Sequence, residues 1–274
     1  MTKHFYNNVY RSNHPLGYGG ISDGMVERTS AMRESTGQWL AFTGLARRSD
    51  ATILEIGCGM AHLADLHPGW HGAEYSRTAV EQVKAERGDR MRMFEADAQC
   101  LPFDDESYDG VFTWAALEHV PDPDKALEEV HRVLRRGGHA LIAPAWNCRS
   151  WTVKKLEERG YDELPLRERL EKALIPVREL LPIRATAALP KRLLSELIMR
   201  SGRPLPLRYQ SLHPRWDLIE RLGHVSDDDA VADIDPHAAV TFFLSRGYEV
   251  FSHSTFLSRL LARHEPVIVR KPGA

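Results

Sequence analysis

The segment Ile53-Leu54-Glu55-Ile56-Gly57-Cys58-Gly59-Met60-Ala61-His62 decides the fold of this chain. It begins as an apolar strand and passes through two glycines into a short helix predicted at residues 61–66. Glycine lets the backbone approach a ligand closely, and the unpaired N–H groups of a helix start attract anionic groups. The same residues also fit a tight turn that binds nothing, so the segment alone leaves both interpretations open.

Two residues of this segment argue against a nicotinamide or flavin dinucleotide site. The fingerprint of those sites, G-x-G-x-x-G, needs a third glycine where this chain has His62. Glu55 lies in an otherwise apolar strand, where a carboxylate must find partners or destabilise the fold. We therefore interpret Glu55 as a residue recruited for a ligand. Glu74, at the end of the next predicted strand, is either a ribose-binding carboxylate or a surface acid near a helix start.

Strand and helix signals alternate around this turn, which predicts a parallel sheet with helices on both faces. The predicted strands are 52–56, 71–75, 91–95, 108–114, 139–143, 248–252 and 266–271. The predicted helices are 23–47, 61–66, 77–87, a helix from Asp122 and Pro123 to the Arg135-Arg136-Gly137-Gly138 turn, and a helix from Asp235 to Gly247. The expected fold class is α/β, a Rossmann-like doubly wound seven-stranded sheet.

Residues 147–232 break the alternation with a helical pattern that several prolines divide, and we interpret them as an insertion and not as a second sheet. Four parts follow: an N-terminal arm and helix (1–50), a binding core (51–148), the insertion (149–232) and the completion of the sheet (233–274). The insertion separates the fifth and sixth strands of the predicted sheet.

Three further motifs carry a family resemblance. The run from Phe94-Glu95-Ala96-Asp97-Ala98 to Tyr108-Asp109 resembles class I S-adenosylmethionine-dependent methyltransferases, in the region of their third and fourth strands. Leu117-Glu118-His119-Val120-Pro121-Asp122-Pro123 and Glu129-Val130-His131-Arg132-Val133-Leu134 resemble the next helix of the subgroup that includes ubiquinone and sterol methyltransferases. With Glu55 to Gly59 and Glu74, the resemblance covers residues 50–145 and predicts that the sheet ends in an antiparallel hairpin.

This resemblance implies a set of cofactor contacts for S-adenosylmethionine. Gly57 and Gly59 would lie against its methionine end, with Glu55 behind them, and Glu74 would bind the ribose hydroxyls. Asp97 would accept a hydrogen bond from the adenine amine, and Ala98 would contact the ring through its backbone. The remaining predicted contacts are Cys58, Tyr75 and Trp114, of which Trp114 would floor the pocket together with Ala115.

The predicted reaction is methyl transfer to a small acceptor, which mainly requires alignment of the two reactants. A base is needed only when the acceptor must lose a proton. His119 is the first candidate because it follows the fourth strand, although a hydrogen-bonded structural histidine is the competing interpretation. His14, His237 and Tyr18 are alternatives. Glu118 is expected to form a cap or an ion pair.

The insertion occupies the place where many members of this family carry a lid over the acceptor. Residues 151–222 contain fifteen Lys and Arg against ten Asp and Glu, a local net charge of +5 in a chain of −2. This excess favours an anionic or lipid-like acceptor, a solvated helix face over a small core, or contact with a membrane surface. The insertion is also where a second copy or a partner protein is expected to bind.

Composition excludes several other classes. The small net charge argues against a nucleic-acid partner, no apolar run suits a transmembrane segment, and no metal site is predicted because the three cysteines lie far apart. A cytoplasmic enzyme of specialised metabolism is expected. Two rivals stay open: an enzyme of this fold that uses the bound cofactor for a cyclisation or elimination, and a cofactor-binding partner subunit.

Overall fold

The computed structural model describes residues 2–11, 23–88, 91–148, 160–179, 181–214, 216, 219 and 229–273 of the chain. Its strands are β1 (Ile53–Ile56), β2 (Trp70–Glu74), β3 (Arg92–Glu95), β4 (Tyr108–Trp114), β5 (Leu134–Ala143), β6 (Tyr209–Ser211), β7 (Ala232–Ile234), β8 (Glu249–Val250) and β9 (Val267–Arg270). Its helices are α1 (Thr2–Val9), α2 (Asp23–Phe42), α3 (Arg77–Arg87), α4 (Pro123–Val133), α5 (Leu166–Glu179), α6 (Leu181–Met199), α7 (Pro236–Leu244) and α8 (Phe256–Leu260).

Seven of these strands form one sheet in the order β3-β2-β1-β4-β5-β9-β8. Strands β1 to β5 pair in parallel, whereas β9 runs antiparallel to both β5 and β8. The predicted doubly wound sheet with an antiparallel C-terminal end is confirmed. Strand β1 has β2 on one side and β4 on the other, because the chain continues first to β2 and later crosses back to β4. A crevice therefore opens at the carboxyl ends of β1 and β4.

Local capping fixes the helices that flank this crevice. The side chain of Ser76 accepts a hydrogen bond from the N–H of Ala79 and starts α3, and Asp122 accepts from the N–H of Lys125 and starts α4 with Pro123 in its first turn. These bonds satisfy N–H groups that a helix start otherwise leaves unpaired. The predicted bounds of α3 and the predicted start of α4 match the structure.

Four predicted helix bounds are wrong, and one of them is the end of α7, which lies at Leu244 and not at Gly247. Helix α2 ends at Phe42, and a short 3-10 turn occupies Leu45–Arg47. In the segment predicted as helix 61–66, only Ala64–Leu66 forms a 3-10 turn. Helix α4 ends at Val133, because Leu134 already pairs with Tyr108 and the stretch predicted to close the helix belongs to β5.

Four elements escaped the sequence analysis: α1, β6, β7 and α8. Residues 2–9 of the predicted arm form α1, whose Phe5 and Val9 are buried against Ile219. Strand β6 of the insertion pairs with β7, which crosses the predicted boundary at residue 232, in a separate two-stranded antiparallel sheet. The prediction of a purely helical insertion is therefore wrong. Helices α5 and α6 confirm the helical part of that prediction.

The core lies on both faces of the large sheet. On one face Trp39 of α2 packs against Phe112 of β4, with ring centroids 5.8 Å apart. On the other face Leu127 and Val130 of α4 join the same buried cluster as Phe242 of α7. The centre of the sheet is therefore covered on both sides, whereas the edge strand β3 leaves Arg92, Phe94 and Glu95 exposed. Within the described ranges, no helix combines the length and the apolar character needed to cross a membrane.

Candidate active site

The turn after β1 brings the backbone close to the loop after β4. Gly57 has a φ of +73°, and a Cβ on it would lie 2.3 Å from the Cβ of Ala116. Its N–H donates to the carbonyl of Ala73 at 2.8 Å, which ties the turn to β2. Glycine at position 57 is therefore required twice, by its backbone conformation and by the space that Ala116 fills.

Glu74 at the end of β2 is the most constrained carboxylate at this edge of the sheet. Its Oε2 accepts from the N–H of Gly59 and its Oε1 accepts from the N–H of Ser76, both at 2.8 Å. Burial raises the pKa of Glu74, while these N–H donors act in the opposite direction. Each carboxylate oxygen keeps a second lone pair, so the group can still accept hydrogen bonds from a ligand.

A cleft opens where the strands end. Its cavity volume is about 130 Å³, and it is open to solvent on one side. Gly57, Glu74, Tyr75, Asp97 and Ala98 all line it, so the structure brings these five predicted contacts together. The carboxylate of Asp97 is oriented by the backbone N–H and the side-chain amide of Gln99, which bond its Oδ1 at 2.9 and 3.0 Å.

Four predicted cofactor contacts, Glu55, Cys58, Gly59 and Trp114, are not among the residues that line the cleft. Glu55 is buried beneath the turn, where Trp70 Nε1 donates to its Oε2 at 2.8 Å and burial raises the pKa of Glu55 to about 8. The thiol of Cys58 is also buried, and its pKa is raised. Trp114 Nε1 donates to Thr36 Oγ1 at 2.9 Å. Gly59 contributes its N–H to Glu74, so Glu55 and Gly59 support the cleft from behind it.

The N-terminal helix closes one side of the cleft with Tyr6 and Tyr10. The ring of Tyr6 makes edge contacts with Tyr75 and with His119, at centroid distances of 6.4 and 6.1 Å. Sequence analysis did not identify these tyrosines, although their four-residue spacing is that of one helix face. Asp229 also lines the cleft, and no signal in the sequence separates it from its acidic neighbours.

His119 lies between two buried carboxylates in a 3-10 turn after β4. Its Nδ1 is 3.4 Å from Asp229 Oδ2, and its Nε2 is 3.7 Å from Glu118 Oε1. Both carboxylate side chains have no solvent exposure, whereas 18% of the His119 side chain is exposed to the cleft. Tyr6 donates to the same Asp229 oxygen at 2.8 Å. The structure therefore joins α1, the turn after β4 and residue 229 in one polar cluster.

The other predicted acid–base residues do not join this cluster. His237 is buried at the start of α7, where its Nε2 is 3.3 Å from Glu196 Oε1, and burial lowers the pKa of its imidazole. His14 and Tyr18 fall outside the described residues. The described ranges also contain no group of His, Cys, Asp and Glu side chains arranged to hold a metal ion.

Residues 54–142 match a protein family described as "Methyltransferase domain". The chain is 31% identical over 103 residues to sterol 4-C-methyltransferase strm-1 of Caenorhabditis elegans, which covers 32% of this chain and 29% of that protein. It is 35% identical over 113 residues to demethylmenaquinone methyltransferase of Clavibacter sepedonicus, covering 40% and 44%. The chain thus spans less than half the length of these relatives.

Among solved structures, the YcgJ protein of Bacillus subtilis is 16% identical, with a TM-score of 0.40 and coverage of 86% of this chain and 98% of that one.

Proposed function

We propose that this chain, whose residues 54–142 form a class I S-adenosylmethionine-dependent methyltransferase domain, transfers a methyl group from that cofactor to a small molecule. The observation that carries the proposal is the cleft at the ends of β1, β2 and β4, with the Glu74 and Asp97 carboxylates in its wall. We assign the acceptor to specialised metabolism, with an anionic or lipid-like character that suits the basic insertion.

The residues of the cleft fit this cofactor. Glu74 can accept from the ribose hydroxyls, Asp97 from the adenine amine, and the Tyr75 ring offers an apolar surface for the base. The backbone at Gly57 leaves room for the methionine end, because no side chain projects from it. When bound, S-adenosylmethionine supplies a methyl group on a positively charged sulfur, and the two carboxylates complement the positive charge of the whole cofactor.

We further propose that His119 is the base for an acceptor whose reacting atom must lose a proton. Asp229 acts as a positioning residue, because its carboxylate favours the tautomer with the proton on Nδ1 and leaves Nε2 to take the acceptor's proton. The acceptor atom keeps the electron pair for its new bond to carbon, and the proton on Nε2 later passes to water. Tyr6 supports this arrangement through its bond to Asp229.

Calorimetry with S-adenosylhomocysteine tests the cofactor part of the proposal. We expect binding by the wild-type protein and a loss of about a hundredfold in affinity for Glu74→Ala, which removes an acceptor of charged hydrogen bonds. Glu81→Ala is the matched control, since Glu81 is exposed and pairs with Arg77. Absence of binding by the wild-type protein contradicts the proposal.

Incubation with methyl-labelled cofactor and a panel of hydroxylated, quinone and sterol acceptors tests the reaction. Label in the acceptor, with an equal amount of S-adenosylhomocysteine, is the expected result. Formation of an unlabelled product without S-adenosylhomocysteine would instead support a cyclisation or elimination on the same scaffold.

Nitrogen NMR of the histidine rings tests the role of Asp229 without an acceptor. The wild-type protein is expected to show an unprotonated Nε2 on His119 at neutral pH, and Asp229→Asn is expected to lose this preference. With an acceptor, Asp229→Asn should lower turnover about a hundredfold with cofactor affinity within about twofold, and Asp229→Glu should restore part of it. An unprotonated Nδ1 in the wild-type protein would exclude the arrangement.

The four-part domain organisation and the acceptor-lid role of the insertion stay part of the proposal. So does a cytoplasmic location, which the three free cysteines support, two of them buried.

A further inference from the structure

The insertion places apolar side chains in solvent instead of in a core. Ten of the thirteen exposed large apolar side chains in the described residues lie on α5, on α6 and within residues 256–261. On α5, Leu166, Leu170 and Leu174 recur every four residues and are 48–75% exposed. This spacing aligns them along one side of the helix. We call the exposed apolar side chains of these three elements the insertion patch.

The contacts of helix α6 keep its apolar side chains at the surface. Its Arg192 and Glu196 are buried, while Leu193, Leu194 and Leu197 are 42–63% exposed. Glu196 accepts two hydrogen bonds from Arg259, both at 2.8 Å, which fixes α6 against α8 with its leucines outward. Turning the leucines inward would break this buried ion pair, so the patch is a stable property of the described structure.

The surroundings of the patch are basic. Lys191, Arg200 and Arg203 are exposed close to the leucines in the sequence, whereas the one acidic residue of α6 is buried and paired. Residues 151–222 carry a net charge of +5, and the remainder of the chain carries −7. An apolar surface flanked by Lys and Arg is the pattern of helices that lie in the interface of an anionic bilayer.

We propose that the insertion patch docks on the surface of an anionic lipid bilayer, with its leucines in the interface and its Lys and Arg side chains at the headgroups. A second copy of the chain fits less well, because a symmetric contact would place two segments of +5 against each other. This inference does not depend on the reaction proposed above, since it concerns a different surface.

Co-sedimentation of the full chain with vesicles tests the inference. The protein is expected to bind vesicles that contain phosphatidylglycerol at least about tenfold more strongly than vesicles of phosphatidylcholine alone, and added salt should reduce the difference. Equal binding to both vesicles, or binding to neither, would overturn the inference.

The triple variant Leu193→Ser/Leu194→Ser/Leu197→Ser distinguishes docking through the leucines from non-specific attraction by charge. Its affinity for phosphatidylglycerol vesicles should fall about tenfold or more, with the circular dichroism melt unchanged because the side chains are already exposed. Phe42→Ser is the matched control, since Phe42 is 61% exposed outside the patch and should bind as the wild type does. If the triple variant lowers the melting temperature, single substitutions provide the same comparison.

Sedimentation velocity without lipid tests whether the insertion patch instead binds a second copy of the chain. A wild-type protein that self-associates through the patch, and a triple variant that is monomeric, would assign the patch to a second copy and overturn the proposal. A monomeric wild-type protein that binds anionic vesicles supports it.

Discussion

Helices α4 and α6 bury opposite kinds of surface, although both carry an apolar and a polar side. Helix α4 packs Ala126, Leu127 and Val130 against the sheet at 0% exposure. Helix α6 turns Arg192 and Glu196 inward and leaves Leu193, Leu194 and Leu197 in solvent. The sheet offers α4 a continuous apolar face, whereas α6 meets the polar starts and ends of α7 and α8. This comparison shows that the amphipathic pattern of a helix predicts which of its sides is buried only where the fold offers an apolar surface to pack against.

The same contrast separates the two regions to which these helices belong. The predicted binding core, residues 51–148, is held by apolar packing and close backbone contacts. The described part of the insertion is tied to the core through ion pairs such as Arg192 with Asp235. Stability and cofactor binding should therefore respond differently to substitution in the two regions.

The largest effect is expected for Gly57→Ala in the binding core. The variant should lose about 4 kcal/mol of unfolding free energy, because an added Cβ meets Ala116 and the backbone stays in a left-handed conformation. Gly44→Ala is the matched control, since Gly44 has a φ of +75° with nothing within 4 Å of its Cβ position. Denaturant unfolding should show a loss of only about 1–2 kcal/mol for that control. Equal losses would mean that packing at the turn is looser than the structure indicates.

A buried carboxylate gives the core a pH dependence. The pKa of Glu55 is raised from 4.5 to about 8, so the folded chain keeps a proton that the unfolded chain releases. Stability from this group is complete below the unfolded pKa of 4.5 and is lost as the pH rises through the folded pKa near 8.

Between pH 5 and pH 8 the wild-type protein should lose about 3 kcal/mol more unfolding free energy than Glu55→Gln does. Denaturant unfolding at the two pH values, without cofactor, provides the measurement, with the exposed Glu86→Gln as control. Parallel behaviour of wild-type protein and Glu55→Gln would indicate that Glu55 is ionised in the folded chain.

The smallest effect on stability is expected for a substitution in the insertion. Arg192→Met removes the ion pair with Asp235 and the donors to the carbonyls of Leu260 and Ala262, at a cost of about 2 kcal/mol. Limited proteolysis within residues 160–210 should become faster, while S-adenosylhomocysteine affinity stays within about twofold. Lys191→Met, at an exposed neighbouring position, should change neither. A large loss of cofactor affinity in Arg192→Met would show that the two regions are coupled.

The sequence by itself determined the doubly wound α/β sheet, the glycine turn and several of the residues that line the cleft. These features depend on short-range signals: period-two apolar strands, capping residues at helix starts, and side chains at strand ends that share one edge of a parallel sheet. Glu74 could be predicted for that reason, whereas Asp97 and Ala98 were predicted from the family resemblance. The local Arg-Gly signal placed the predicted end of α4 too far along the chain. In the structure, strand pairing decides the last residue of this helix.

Only the tertiary structure decided the partners of buried polar groups and the face that each insertion helix presents. Tyr6 and Asp229 are 223 residues apart, yet they meet at 2.8 Å beside His119. Glu55 was expected behind the two glycines of the turn, and Trp70 of the adjacent strand donates a hydrogen bond to it. In each case the interaction joins elements distant in sequence, and no local pattern encodes which surfaces the folded chain brings together.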